Sequence, residues 1–599
     1  MRNWTLGSLF VVMAAGALGF AAPASDKGLV VHEWGTFLAM NGSDGVTLDG
    51  MYHEEHALPG FVHARRTSEL RLPGSNLKGE TPVIYFYTNT PTRVNVQVGF
   101  PSGVWTQWYP QASYVGPTLV QTGSLMNPRN GRIGWMVDVI PPSMPHKTPP
   151  ATDPDALWKH TRDVDAAFVS PVGSGSVSDT SSESERFIFY RGLGDARLPL
   201  TVSATGGARL TCGAGLTSVK HVYVLRVENG QGVYRYLPSL ECDKSMSDVV
   251  PTMTKGLAVS RFADTLADDM AARLVDSGLY AKEARAMVNT WRTSYFTSDG
   301  VRVLFVLPQS WTDKFIPMTI TPAPAELVRV MVGRIELLTA SREYEAEAAI
   351  SNLASPDSRV RESAFAFLRE QGRYVEPIIR RTLQTTKDER VRVMSRRLLT
   401  TDFVTDLRSA INDAADGSVV PQATAFTRAQ LASLLREVGL ENEARAEGEL
   451  ALAALAEMPR PKMTDHASRN TYRAWARASE GVGKDADALQ WYGEFVEFGS
   501  TFNTCSGCHS LAGPRDNSFF RDWWAGRRFG ELAVRTGEAH AMIDADERRL
   551  KEKKSDLLSL IRLAYLYEAR GDSARAAQLW TQVDGRNVTA HAGAAEARR

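Results

Sequence analysis

The stretch "AWARASEGVGKDADALQWY", Ala474 to Tyr492, sets small residues at Ala476, Gly483 and Ala488 and an aromatic at Tyr492. Small side chains at such positions let two paired helices cross closely. The same set returns in "LASLLREVGLENEARAE" with Ala432, Gly439 and Ala444, and in "RLAYLYEARGDSARAAQLW" with Ala564, Tyr567, Gly571, Ala576 and Trp580. A weaker copy lies around Gly530 and Gly537, with Met542 at a position that should be small. Self-similarity of this kind is the mark of a repeat architecture and outweighs any single-helix reading.

The pattern resembles the tetratricopeptide repeat and covers residues 405–599. Ahead of it, over 340–404, "SPDSRVRESAFAFL" and "TKDERVRVMSRRLL" share an acidic residue shortly before Arg-Val-Arg, with Val360 and Val391 in matching places. These two units resemble HEAT-type repeats. Stacked helical repeats expose extended surfaces that usually bind protein segments, so the resemblance implies protein–protein contacts. Gly483 and Gly537 stand 54 positions apart, where one tetratricopeptide unit takes about 34. The surplus forms an insertion at about 498–525.

That insertion contains "TFNTCSGCHS", Thr501 to Ser510. Cys505 and Cys508 are three positions apart, as two thiols must be to add across the vinyl groups of a porphyrin, and His509 is adjacent to reach the iron. Zinc would need two more ligands at their own short spacing. The other cysteines, Cys212 and Cys242, lie far away in sequence. A redox dithiol would begin a helix after a strand in a βαβ setting, whereas "FGSTF" and "SLAGPRD" flank this motif between helices. Both alternatives stay open beside haem.

Over "CSGCHSLAGP" the segment resembles the haem-attachment site of c-type cytochromes. The resemblance implies one covalent haem c per chain, thioether bonds from Cys505 and Cys508, and His509 as proximal iron ligand. No counterpart of the small cytochrome domain with its late Met ligand follows Pro514. His540 and Met542 downstream, or Met463 and His466 upstream, are the candidates for the sixth position.

The N-terminal part reads differently. "RVNVQVGF" alternates Val94, Val96, Val98 and Phe100 on one face, and "RIGWMVDV" alternates Ile133, Trp135, Val137 and Val139. Period two with β-branched and aromatic residues predicts strands, joined by "TPVIYFYT", "RFIFYRG", "KHVYVLRV" and "VRVLFVLP". Helical spacing interrupts between about 260 and 291. The expected fold class is multidomain α+β: a β-sandwich-like domain with some helices over 25–339, then an all-α repeat region. Cys212 and Cys242 are expected to form a disulfide in the strand-rich region.

Residues 1–24 carry Arg2, an apolar run and Ala22-Pro23-Ala24, the pattern of a cleaved secretory signal. A periplasmic or otherwise extracytoplasmic protein without an integral span after cleavage is expected. Lys+Arg and Asp+Glu each total 68, so no basic field exists to gather nucleic acid.

Four of the 11 histidines fall between His32 and His63. His32 with Glu33, then His53, His56 and His63, form a low-ranking candidate for zinc or copper. Hydrogen-bonded surface histidines are the plainer reading. Asp313 and Arg191 are weaker candidates, better read as ion pairs. The functional expectation is a mono-haem electron-transfer protein with a redox partner. Its alternatives are a redox metalloenzyme using the histidine-rich site, or a haem-stapled interaction scaffold.

Overall fold

The computed structural model describes residues 28–50, 56, 58–64, 75–116, 130–152, 156–172, 183–204, 208–213, 216–242, 245–415, 421–461, 468–501, 523–553 and 556–583. The expected signal over residues 1–24, and His53, Met463, His466, Cys505, Cys508 and His509, lie outside these residues.

The N-terminal strands in chain order are β1 Val30–Asn41, β2 His63–Ala64, β3 Leu77–Gly79, β4 Val83–Tyr87, β5 Thr92–Phe100, β6 Gly103–Tyr109 and β7 Tyr114–Gly116. Next come β8 Gly131–Ile140, β9 Phe168–Pro171, β10 Ile188–Gly194, β11 Leu200–Ser203, β12 Arg209–Cys212, β13 Ser218–Glu228 and β14 Gln231–Glu241. The set closes with β15 Leu257–Ala258, β16 Gly300–Val306, β17 Met318–Thr321 and β18 Glu326–Leu337. Four helices are interleaved: α1 Trp158–Thr161, α2 Val259–Asp276, α3 Ala281–Trp291 and α4 Gln309–Phe315.

An 11-stranded sheet runs β15-β14-β13-β16-β18-β1-β3-β10-β6-β2, with β4 pairing β1 and β10. A 5-stranded sheet runs β17-β5-β8-β7, with β9 on β8. The alternation read in "RVNVQVGF" and "RIGWMVDV" sends Val94, Val96, Ile133, Trp135 and Val137 into one core with Val31, Phe37, Val303 and Ile335 of the large sheet. Its opposite face carries Val30, Trp34, Val330 and Val332 beneath α2 and α3. The domain is therefore a sandwich with a helical layer added.

The centre of the large sheet is a parallel pair, β1 on β18, in register from Val30↔Glu326 to Asn41↔Leu337. Both faces of β1 are covered and all 12 residues are buried, as expected where a sheet is packed on both sides. Cys212 and Cys242 are joined by a disulfide.

Beyond β18 the described residues are helical: α5 Ala340–Asn352, α6 Ser358–Gln371, α7 Glu376–Thr385, α8 Glu389–Ala415, α9 Pro421–Glu437 and α10 Glu441–Ala456. Then come α11 Ser468–Gly481, α12 Asp485–Thr501, α13 Trp523–Arg535, α14 Ala539–Glu552, α15 Leu557–Ala569 and helical residues 573–583. The turn glycines Gly439, Gly483, Gly537 and Gly571 all take positive φ, between 76° and 85°, where a Cβ would be strained. Ala432, Ala444, Ala476, Ala488 and Ala564 are fully buried. A Cβ on Gly481 would come within 2.5 Å of the Ala432 Cβ, so small side chains set the close approach of α9 and α11. This is a C-terminal helical repeat region.

Candidate functional site

The structure separates the histidines that sequence places together. Successive residues of a strand point to opposite faces, and His32 and Glu33 do so on β1. His32 Nδ1 lies 2.8 Å from Glu283 Oε2 of α3, and that carboxylate also accepts bonds from the Tyr87 hydroxyl at 2.8 Å and the Tyr280 N–H at 2.7 Å. Glu33 points into the other core, where Arg329 Nε donates to it at 2.6 Å and the Tyr190 hydroxyl also bonds it. Burial raises the Glu33 pKa, with Arg329 opposing.

His63 sits on β2 at the sheet's edge, 2.8 Å from Glu183. Four strand steps from β1 to β2 amount to about 19 Å, so His32 and His63 cannot share an ion. Among the described residues no three His, Cys, Asp or Glu side chains gather as a metal site. The described members, His32, Glu33, His56 and His63, thus do not form one centre: the central strand imposes alternation, and the edge strand imposes distance.

His56 belongs elsewhere, to a cleft on the helix-covered face of the large sheet. One wall is aromatic. Trp158 of α1 packs 5.1 Å from both Phe187 and Phe189, and its indole donates to the buried Glu185 carboxylate at 2.9 Å. Arg162 fixes that carboxylate in turn, at 2.7 Å. The facing wall is Trp291 at the end of α3, stacked 5.3 Å from Tyr295. Tyr295 lies in the π-helical turn Arg292–Phe296, a distortion that often marks functional sites.

The polar end brings together His56, Glu80, Thr81, Arg191, Ser294 and Tyr295. Arg191 lies on β10 at a register shift, between Arg191 and Gly192, and its Nε donates to the Glu80 carbonyl at 2.7 Å. Irregularities of this sort re-aim a side chain out of the ladder. The Tyr295 hydroxyl donates to Glu80 Oε2 at 2.5 Å, and the Arg334 guanidinium lies 3.8 Å above the Tyr295 ring. Burial, then Glu80, pushes the Tyr295 hydroxyl well up, so it remains a donor. Burial, then Arg191 and Arg334, lowers the His56 pKa, which favours neutral imidazole at neutral pH.

Beneath the cleft an ionic network continues to the repeats. Arg334 donates to Glu336 Oε1 at 2.5 Å, and Arg302 Nε donates to the same oxygen at 3.2 Å. Tyr374, between α6 and α7, lies 3.4 Å from Glu336 Oε2. Although burial works against ionisation, Arg302 and Arg334 hold Glu336 below the usual carboxylate range.

Of the other expected site residues, Arg191 is a cleft residue and Asp313 pairs with Arg329 at 2.8 Å. His540 on α14 is exposed beside Asp544, while Met542 packs on the core formed by Tyr492, Phe529 and Leu560. Sequence reasoning missed Glu80, Trp158, Trp291 and Tyr295, which converge from three separate segments. The helices bounding residues 502–522, α12 and α13, are held by one carboxylate. Glu480 of α11 accepts from Tyr492 of α12 at 3.0 Å and pairs with Arg528 of α13.

No family model matches the chain, and no curated protein matches it. Among solved structures it is similar to the nearly identical TPR-like repeats of a Podospora anserina chain assigned as a kinesin light chain. The likeness has 16% identity and a TM-score of 0.21, over 38% of this chain and 97% of that one.

Proposed function

We propose that the protein is an exported mono-haem c-type protein that exchanges single electrons with a redox partner docked on its helical repeats. The observation that carries the reading is the cysteine inventory. The chain has 4 cysteines, and the Cys212–Cys242 disulfide occupies two of them. Cys505 and Cys508 remain, beside His509, as a donor set suited to thioether attachment and axial ligation. The disulfide also removes the other thiols as zinc co-ligands and accords with an oxidising compartment. Haem bound there supplies ferric/ferrous cycling.

The test is co-expression of the full precursor with a cytochrome c maturation system. One haem per chain should survive denaturing electrophoresis, and Cys505→Ala with Cys508→Ala should abolish it. A wild-type chain that matures without covalent haem sinks the reading.

A further inference from the structure

Three residues that line the aromatic cleft carry buried polar atoms without a hydrogen-bond partner among the described residues: His56 Nε2, Thr81 Oγ1 and Trp291 Nε1. Trp291 is 1% exposed, and an indole N–H can only donate. Leaving such groups unsatisfied in an apolar setting is unfavourable, so native proteins nearly always pair them, with solvent or ligand where no side chain serves. Leu58, Val83, Trp158, Phe187 and Phe189 give the lining an apolar part, set against the polar end at Glu80, Arg191, Ser294 and Tyr295. Apolar, concave walls with a few polar groups among them are the usual make-up of a small-molecule site.

We propose that this cleft binds a small planar aromatic molecule bearing a hydrogen-bond-accepting oxygen. Its ring lies between the Trp158–Phe187–Phe189 wall and the Trp291–Tyr295 stack. Its oxygen takes the N–H of Trp291 and the hydroxyl of Thr81. The donor-only character of Trp291 selects an acceptor on the ligand, and neutral His56 can donate or accept beside it. A carboxylate and a carbonyl share this acceptor chemistry, and the ligand set below separates them. The proposal is independent of the haem reading, since no residue of the insertion takes part in it.

The experiment is calorimetric titration of the full mature protein with benzoate, acetophenone, toluene and cyclohexanecarboxylate. Benzoate, acetophenone or both should bind at least ten-fold more tightly than toluene, and benzoate more tightly than cyclohexanecarboxylate. Preference for benzoate over acetophenone identifies an acid as the natural class, and the reverse identifies a neutral carbonyl. Thr81→Val, nearly isosteric, should weaken the better oxygen-bearing ligand about five-fold and leave toluene unchanged. Trp291→Phe should do the same if it folds; the Thr81 variant keeps the test decisive if it does not. Equal affinity for all four ligands, binding of none, or a Thr81→Val variant that binds all of them like wild type overturns the proposal.

Discussion

Glu480→Ala should loosen the helices that bound the haem-motif segment, by an amount the structure allows to be worked out. Glu480 is fully buried. Removing it leaves the Arg528 guanidinium, itself 7% exposed, without its main counter-charge, and takes from the Tyr492 hydroxyl an acceptor at 3.0 Å. Breaking a buried ion pair from one side costs about 3–5 kcal/mol, and losing the bond from the Tyr492 hydroxyl adds about 0.5–1.5 kcal/mol. Arg528 retains Glu531 at 2.5 Å, which pulls the sum down to about 3–4 kcal/mol. Hydrogen exchange is the suitable assay, because a multidomain chain need not unfold in one step. The most protected amides of α11, α12 and α13 should exchange about 100- to 1,000-fold faster, since ~1.4 kcal/mol is a factor of ten, while β1 and β18 stay unchanged. Glu480→Gln, which keeps an acceptor for Tyr492, should show a smaller effect. Adding Arg528→Met to Glu480→Ala should recover at least ten-fold, because an apolar replacement of the whole pair is often near neutral. Protection within three-fold of wild type in Glu480→Ala would refute the argument.

Replacing Cys212 and Cys242 by Ser opens a cross-link across a sequence separation of 30, worth about 3.6 kcal/mol in the chain-entropy estimate; the drop in urea midpoint of the N-terminal transition checks it. Glu283→Ala strands the His32 imidazole, the Tyr87 hydroxyl and the Tyr280 N–H. A loss of about 3–5 kcal/mol in the same transition is expected. Gly483→Ala meets no atom within 4 Å, but its φ is +85°, so about 1–2 kcal/mol of strain is expected. Gly481→Ala, blocked by Ala432 at 2.5 Å, should cost more; equal melting temperatures for the two would contradict this. His56 has a folded pKa below its unfolded value of about 6.5, so the folded chain binds fewer protons just below that pH. Stability should therefore fall as pH drops from about 6.5. His56→Gln should flatten that fall, and identical pH–stability slopes in the two proteins would refute the assignment.

Sequence shows those parts of the fold that periodicity dictates. Val94, Val96, Val98 and Phe100 alternate because one face of β5 meets the core and the other does not, and the alanine and glycine spacing of the repeats follows from helices that touch. The parallel pairing of β1 with β18 left no local trace. A strand buried on both faces shows no alternation to read, and its partner lies some 300 residues away. That is also why His32 and Glu33 resembled a ligand pair: side by side in the chain, they serve separate cores. The cleft was illegible for a related reason. Trp158, Phe189, Trp291 and Tyr295 each look like ordinary core aromatics, and only the sheet and the π-helical turn bring them to one cleft. His56 and Arg191 were visible as residues, but their meeting at the cleft depends on long-range packing.

The junction between sheet and repeats follows from the same network that underlies the cleft. Domains on one chain are expected to move against each other unless their interface is large and apolar, yet here the boundary is crossed by charge as well. Glu336, on the last strand, lies against Arg302 and Arg334 from the sheet and against Arg373 and Tyr374 from the helical region. Apolar packing of Leu38, Met40 and Leu338 against Ile350, Leu368 and Ile379 continues the contact. Buried ion clusters add little net stability but are costly to break one partner at a time, so hinging at this boundary would have to separate Arg373 and Tyr374 from Glu336. Glu336 is bonded to Arg334, which lies over the Tyr295 ring of the cleft. The first repeat and the cleft floor therefore share one carboxylate, and a displacement of either must be felt at Glu336.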